Sequence, residues 1–406
     1  MDFTPSDKAR DYTERVRAFI AERIAPVEED YLRELLALPE HERWRVLPVI
    51  DELKAAARAA GLWNLFLPDE REGAGLTVSE YAPVAELMGR SFIAAEVFNC
   101  NAPDTGNMEV LHHYGSPEQK ERWLRPLLDG EIRSAFCMTE PDVASSDPTN
   151  VEATAVLDGD EVVVNGRKWF STGAGHPRCE VLLFMGLTDK DAHRHQQHSI
   201  VAVPRRADGV TVERMLPVMG RYDEPSGHGV VRFEDVRLPA SALVGAPGQG
   251  FEIGQNRLGP GRVHHCMRLI GLAEAALEAA CRRGAERVAF RKPLVNLGGN
   301  RERIADARIA IDQARLLVLY TAWLLDTQGI LGALSQVSQI KVAVPLMAQR
   351  VVDMAMQMHG GAGLSDDYPL AAAWTVARAL RLADGPDEVH RGVVARLELG
   401  KYGVAR

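Results

Sequence analysis

Apolar residues recur every three to four positions towards both ends of this chain and alternate with polar ones in its middle. Val16, Ile20 and Ile24 repeat every four residues, and Pro26 is expected to end that helix. Leu53, Ala56, Ala57 and Ala60 repeat likewise ahead of Gly61. Such spacing places one helix face in a core. Ser116-Pro117-Glu118-Gln119 reads as another helix start, with a cap and a proline in the first turn. The texture changes after Arg133. Val151–Leu157 alternates and is rich in β-branched residues. Asp158-Gly159 predicts a turn into Glu161–Val164, and Asn165-Gly166 predicts the next. Val181–Leu187, Ser199–Val203, Val210–Val212 and His228–Phe233 read as further short strands, which together predict a small antiparallel barrel or sandwich. Helical spacing returns near Gly250. Val263, Met267, Ile270 and Leu277 share one face, as do Ile304, Ile311, Ala314, Val318 and Leu325. Ile340 to Met358 supplies a third helix and the stretch after Leu370 a fourth, which predicts a four-helix bundle. The expected fold class is α+β, with a helical domain over 1–132, a β-domain over 133–245 and a helical domain over 246–406.

Composition adds exclusions. Of 406 residues, 46% are hydrophobic and 25% charged, which is ordinary for a soluble globular protein. The net charge of −9 argues against nucleic acid as a partner. Five cysteines, at 100, 137, 179, 266 and 281, show no Cys-x-x-Cys spacing, so reduced thiols in a cytosol-like compartment are expected. The start, Met1-Asp-Phe-Thr-Pro-Ser-Asp, is too acidic and polar for a secretory leader. No segment reads as an uninterrupted membrane helix. The expectation is a cytoplasmic protein with no membrane partner. His193, His195 and His198 lie in a polar stretch that reads as a solvated loop, so no metal site is assigned. His264-His265, beside Arg262, open a bundle helix and are candidates to face a substrate.

Three stretches carry chemistry. In Arg381-Leu-Ala-Asp384-Gly-Pro-Asp-Glu388-Val-His390-Arg391 an apolar helical run ends at a carboxylate followed by Gly-Pro. A carboxylate at such a bend suits a base that removes a carbon-bound proton. Phe136-Cys-Met138-Thr139-Glu-Pro141-Asp-Val-Ala-Ser145-Ser146-Asp147 mixes strand, turn and hydroxyl residues that could hold a heteroaromatic ring or a phosphate. Asn165-Gly-Arg-Lys168-Trp-Phe170-Ser-Thr172-Gly-Ala-Gly175 sets aromatics beside hydroxyls and glycines, a possible wall for a flat cofactor.

With Gln357-x-x-Gly360-Gly361, these motifs stand in the order and spacing of the acyl-CoA dehydrogenases, and the chain resembles that family over essentially its whole length. It is most similar to the subgroup with Ala-Asp-Gly-Pro-Asp-Glu-Val-His, which some eukaryotic relatives fuse to a kinase-like domain. The resemblance implies an N-terminal helical domain, a middle β-domain and a C-terminal four-helix domain. It implies FAD, an acyl-CoA substrate oxidised to the trans-2-enoyl-CoA, hydride transfer to flavin and electrons passed to an electron-transfer flavoprotein. It also implies fatty acid β-oxidation as the metabolic setting, and a homodimer or tetramer. Met138, Thr139 and Thr172 would meet the flavin, and Phe170 falls where the family has a Trp wall. Ser145 and Ser146 both fall near the family's serine, because this turn is one residue longer. Arg287 and Phe290 match an Arg-x-x-Phe motif, and Gln357, Gly360 and Gly361 match a second subunit's contribution to FAD. Pro386 and Glu388 fall on the cofactor side, Arg262 and Gly385 on the substrate side. Asp384 falls on the catalytic glutamate, one methylene shorter. Gly261 stands where some members place the base and cannot serve.

Two other readings compete. Nitroalkane oxidases resemble this family and use an Asp base, so a flavin oxidase on a non-CoA substrate is the alternative. A non-catalytic scaffold is a third. A free Asp titrates near about 3.9, and burial would raise that towards the range a base needs.

Overall fold

The computed structural model describes residues 4–404, Leu258 by its backbone alone. The first three residues of the acidic N-terminal stretch lie outside the described part. The chain divides into two units, one of Met1–Pro26, Pro68–Ala95 and Arg262–Arg406, the other of Val27–Leu67 and Glu96–Gly261.

The second unit is built on one sheet. Its strands are β1 (Arg133–Cys137), β2 (Thr154–Asp158), β3 (Glu161–Thr172), β4 (Cys179–Leu187), β5 (His198–Pro204), β6 (Val210–Met215), β7 (His228–Pro239) and β8 (Leu243–Val244). The order is β6-β7-β3-β2-β4-β5-β8, with β1 beside β4. Most neighbours are antiparallel, as the alternating pattern predicts. The pairs β1–β4 and β2–β4 run parallel, so the sheet is mixed. The Asp158-Gly159 hairpin forms, pairing Val156 with Val163. Asn165-Gly166 makes no turn. β3 runs through it with a bulge opposite β7, because Asn165 Oδ1 accepts the Asp235 N–H at 2.7 Å and a Cβ on Gly166 would lie 2.3 Å from the Ala153 Cβ. Val162, Val164, Leu182, Phe184, Val201, Val203, Val231 and Phe233 form the buried core, with Phe184 and Phe233 edge to face at 4.7 Å.

In the polar histidine stretch His193 and His195 are exposed, as a solvated loop would have them, and His198 is not. His195 stacks on Phe251 at 4.3 Å, and His198 is buried with Nε2 donating to the Val151 carbonyl at 2.9 Å. The backbone carbonyl satisfies Nε2, while the buried Nδ1 has no hydrogen-bond partner among the described residues.

Helices α1 (Asp7–Phe19) and α2 (Ala25–Ala37) are joined by a wide turn, Ile20–Ile24. Pro26 therefore does not end the run. The Ala25 N–H reaches back five residues to Ile20, and Pro26 has no N–H to place there. α3 (Pro48–Ala59) ends before Gly61 at φ 66°, as expected. α4 (Val78–Met88) opens with a Thr77–Glu80 capping box, and α5 (Asp104–Tyr114) follows.

The first unit carries the predicted bundle: α6 (Gly250–Glu286, of which Arg262 onwards lies in this unit), α7 (Asn300–His359), α8 (Leu370–Ala379) and α9 (Asp387–Gly400). Gly329, at φ 70° and ψ −175°, breaks α7 into two helices, so its halves supply the second and third helices of the sequence reading. A Cβ on Gly271 would lie 1.8 Å from the Glu86 carbonyl oxygen, so α4 and α6 pack backbone to side-chain-free backbone. Arg315 bridges Glu86, at 2.9 Å, and Glu274, which also holds Arg308. The sequence reading of no membrane-length segment needs correction. By length and composition α7 is apolar enough to cross a bilayer, although core packing against the other helices buries part of that window.

Candidate active site

The regular part of α8 ends at Ala379, five residues before Asp384, and the chain then turns through 380–384. Asp384 stands at φ 56° and Gly385 at φ 103°, two consecutive left-handed residues that reverse the chain into α9. A non-glycine residue held there stores strain of about 1–3 kcal/mol, which the surroundings must impose.

The surroundings impose it through carbonyls. The buried ammonium of Lys341, on α7, donates to Leu380 O at 2.6 Å and Ala383 O at 2.7 Å. Arg262 Nε donates to Asp384 O at 3.0 Å, and His390 Nε2 donates to the same oxygen at 3.2 Å. Arg381 pairs with the buried Asp387 at 2.8 Å, while the Asp387 N–H returns to Arg381 O at 3.2 Å. Four donors thus fix the turn that presents Asp384, whose side chain is 18% exposed. His265 Nε2 lies 3.4 Å from Asp384 Oδ2. Burial lowers the Lys341 ammonium and the Arg262 guanidinium. Burial, helped by Arg262, pushes His390 down to about 4, so its imidazole is neutral near pH 7. Burial, helped by Arg268, pushes His264 down to about 3. The adjacent histidines therefore separate: His264 packs edge-on against Tyr81 at 5.0 Å, and His265 faces Asp384.

Other expected residues of this unit lie on its surface. Gly385 and Pro386 are half-buried, and Glu388 is exposed in the first turn of α9. Arg287 leads into a short hairpin with Phe290 near its tip, 89% exposed. Gln357 is exposed in the last turn of α7. The helix stops at Gly360, φ 63°, and a Cβ on Gly360 or Gly361 would meet nothing within 4 Å, so backbone is open to an approaching ligand.

In the second unit the structure gathers the other candidates. Lys168 is buried; its Nζ donates to Met138 O at 3.0 Å and to Glu140 Oε1 at 2.7 Å, and it lies over the Phe184 ring. Glu140 also accepts the Glu152 and Ala153 N–H groups, and the Trp169 N–H donates to Thr139 O at 2.9 Å. Hence the Met138-Thr139 turn and the Trp169-Phe170 strand are tied together. Phe170 stands at φ 49° with 45% of its surface exposed, and Thr172 Oγ1 meets His228 Nδ1 at 2.8 Å. The Ser145 hydroxyl accepts the Glu140 N–H at 2.9 Å and so braces its own turn, whereas Ser146 is exposed. Among the described residues the buried Trp169 Nε1 has no partner. An outward aromatic ring, an orphaned indole N–H and the exposed Thr139 and Ser146 are what a flavin ring needs from its protein, so the residues of this unit fit FAD.

Residues 6–131, 135–236 and 248–399 match the acyl-CoA dehydrogenase N-terminal, middle and C-terminal domain families in turn. The chain belongs to the acyl-CoA dehydrogenase family. It is 50% identical over 404 residues to a probable acyl-CoA dehydrogenase of Mycobacterium tuberculosis, covering 99% of this chain and 98% of that one. It is 51% identical over 399 residues to acyl-CoA dehydrogenase family member 10 of Mus musculus, covering 97% of this chain but only 37% of the mouse protein. The structure matches that of a putative acyl-CoA dehydrogenase from Mycobacterium abscessus with a TM-score of 0.96 at 70% identity, covering 98% and 100% of the two chains. The fold is that of the family, a group of flavoprotein oxidoreductases, with its helical, β and helical domains.

Sequence reasoning named Asp384 and Arg262 but gave no role to Lys341, Lys168 or His390. A lone lysine inside the apolar repeat Ile340-Lys341-Val342-Ala343-Val344 was the available signal. Long charged residues are seldom buried without a partner.

Proposed function

We propose that this acyl-CoA dehydrogenase family member oxidises the α,β-bond of an acyl-CoA thioester, with Asp384 as the base. The observation that carries the reading is the half-buried Asp384 carboxylate, held at φ 56° by donors on the carbonyls around it. A carboxylate so fixed can receive a proton from a substrate carbon without first losing conformational freedom. Arg262 and Lys341 put positive charge beside it. When bound, FAD supplies the hydride acceptor. Thr139, Phe170 and Thr172 would hold its ring, with either Ser145 or Ser146, and Arg287, Gln357, Gly360 and Gly361 its dinucleotide. The exposure of Arg287, Phe290 and Gln357 supports their serving a neighbouring subunit, hence at least a homodimer. An electron-transfer flavoprotein is the proposed acceptor.

The test is anaerobic flavin bleaching by a panel of acyl-CoAs, after the released cofactor has been identified by chromatography. FAD and rapid bleaching by at least one thioester are expected. FMN or no flavin after reconstitution, or bleaching only by nitroalkanes with fast reoxidation by oxygen, would overturn the reading.

A further inference from the structure

We infer that His265 is a positioning residue for Asp384: a neutral imidazole, fixed by Arg268 as its Nε2–H tautomer, that donates to the Asp384 carboxylate. The inference rests on Asp384 being the base.

The tautomer follows from donor and acceptor inventory. Arg268 Nη2 lies 3.2 Å from His265 Nδ1. A guanidinium only donates, so His265 Nδ1 must be the acceptor and carries no proton. The ring proton is then on Nε2, the atom 3.4 Å from Asp384 Oδ2. Protonating His265 would put two donors face to face at Nδ1. The cation nearest His265 therefore opposes its protonation, although a carboxylate lies on its other side. Arg268 and His265 are one helical turn apart on α6, so the arrangement is set by the local helix. Asp384 comes from the turn ahead of α9, where its position is fixed through Lys341, Arg262 and His390. The 3.4 Å separation is long for a hydrogen bond, as contacts of catalytic groups often are before substrate is bound.

The pair can be isolated by titration, because its neighbours are quiet. On α6, Arg262 is lowered by burial, His264 is pushed down to about 3, and burial raises the Cys266 thiol to about 12. On α9, His390 is pushed down to about 4, and Asp387 is paired with Arg381. On α7, Lys341 is lowered by burial and can lose its charge on the alkaline side. His264 and His390 are neutral above about pH 5, so a shift of the acid limb on changing His265 reads the His265–Asp384 contact. A donor to the ionised carboxylate stabilises that form and lowers its pKa.

The experiment measures anaerobic flavin reduction by a saturating acyl-CoA from about pH 5 to 10. It uses the FAD-loaded wild type and the His265→Phe, His265→Gln and Asp384→Asn variants. In His265→Phe the acid limb should move up by about one unit, so that the rate on that limb falls about tenfold, with FAD content and KM little changed. His265→Gln places an amide N–H near the same donor position and should restore the limb to within about half a unit. A readout independent of turnover is the nitrogen NMR of histidine-labelled protein, with His265→Phe assigning the signal. Nδ1 should report as unprotonated and Nε2 as protonated. An unmoved acid limb in His265→Phe, or an Nδ1–H tautomer, would overturn the inference. If Asp384→Asn reduces its flavin at the wild-type rate, it is the assignment of the base that fails, and the inference falls with it.

Discussion

Lys341 Nζ lies 2.7 Å from the carbonyl oxygen of Ala383, the residue immediately before Asp384. The same ammonium holds the Leu380 carbonyl, so a buried lysine caps the chain as it leaves α8. The last carbonyls of a helix have no partner within the helix, and a cation beside them also answers the helix dipole. The candidate base is thus held by a side chain more than forty positions away in sequence.

Lys341→Met keeps the apolar stem and removes the donors. Two part-buried carbonyls then lose their charged donor, each bond worth about 1–3 kcal/mol. Thermal melting should fall by several degrees, and flavin reduction by acyl-CoA should slow at saturating substrate with FAD still bound. Unchanged melting and rate together would show that the cap has no such role.

Asp384→Asn keeps the shape and cannot accept a proton. Loss of a general base costs roughly 10²–10⁴-fold, so bleaching should slow by that much without loss of cofactor. Asp384→Glu should retain partial activity, since the turn is packed around the shorter side chain. Stopped-flow bleaching with a good substrate decides both; a wild-type rate in the Asn form would move the base to His265 or Glu388.

Glu140→Gln should be strongly destabilising. Removing one partner of a buried ion pair leaves the other charge uncompensated, at about 3–5 kcal/mol, and Lys168 is fully buried. The double variant Glu140→Gln with Lys168→Met should recover part of the loss. Urea unfolding of the three variants measures this, and additive single effects would argue against a coupled pair.

Glu109 provides a pH test. Burial raises its carboxyl to about 8, Arg257 opposing, and among the described residues the buried Oε2 has no hydrogen-bond partner. A raised folded pKa means that the native state holds the proton more tightly than the unfolded chain. The stabilisation is complete below about pH 4.3 and is lost as pH rises through about 8. Glu109→Gln should therefore melt near the wild type at pH 5 and above it at pH 9. Parallel melting curves across that range would show that Glu109 is ionised throughout.

Much of the fold was legible because periodicity reports burial directly. The β2–β3 hairpin turns at Asp158-Gly159, where the sequence placed it, and α7 ends at His359, one residue beyond the expected Met358. The misplacements share a cause. Asn165-Gly166 and Pro26 carry turn and stop signals, yet each is absorbed by a bulge or a widened helical turn, because partners elsewhere favour continuing. Local signals bound what the backbone can do, and packing selects among the options.

The sequence by itself determined the helix, sheet and helix order, the flavin-type motifs and the candidacy of Asp384, since each depends on residues close along the chain. Only the tertiary structure decided what holds Asp384. Lys341 comes from α7, Arg262 and His265 from α6 and His390 from α9, and no local spacing rule joins the three helices. The fold brings their donors to one turn, where carbonyls left over at the end of α8 take them as partners. The fold also sets His265 apart from His264. The two are neighbours in sequence, but they point from different sides of one helix, one into the core against Tyr81 and one towards the carboxylate.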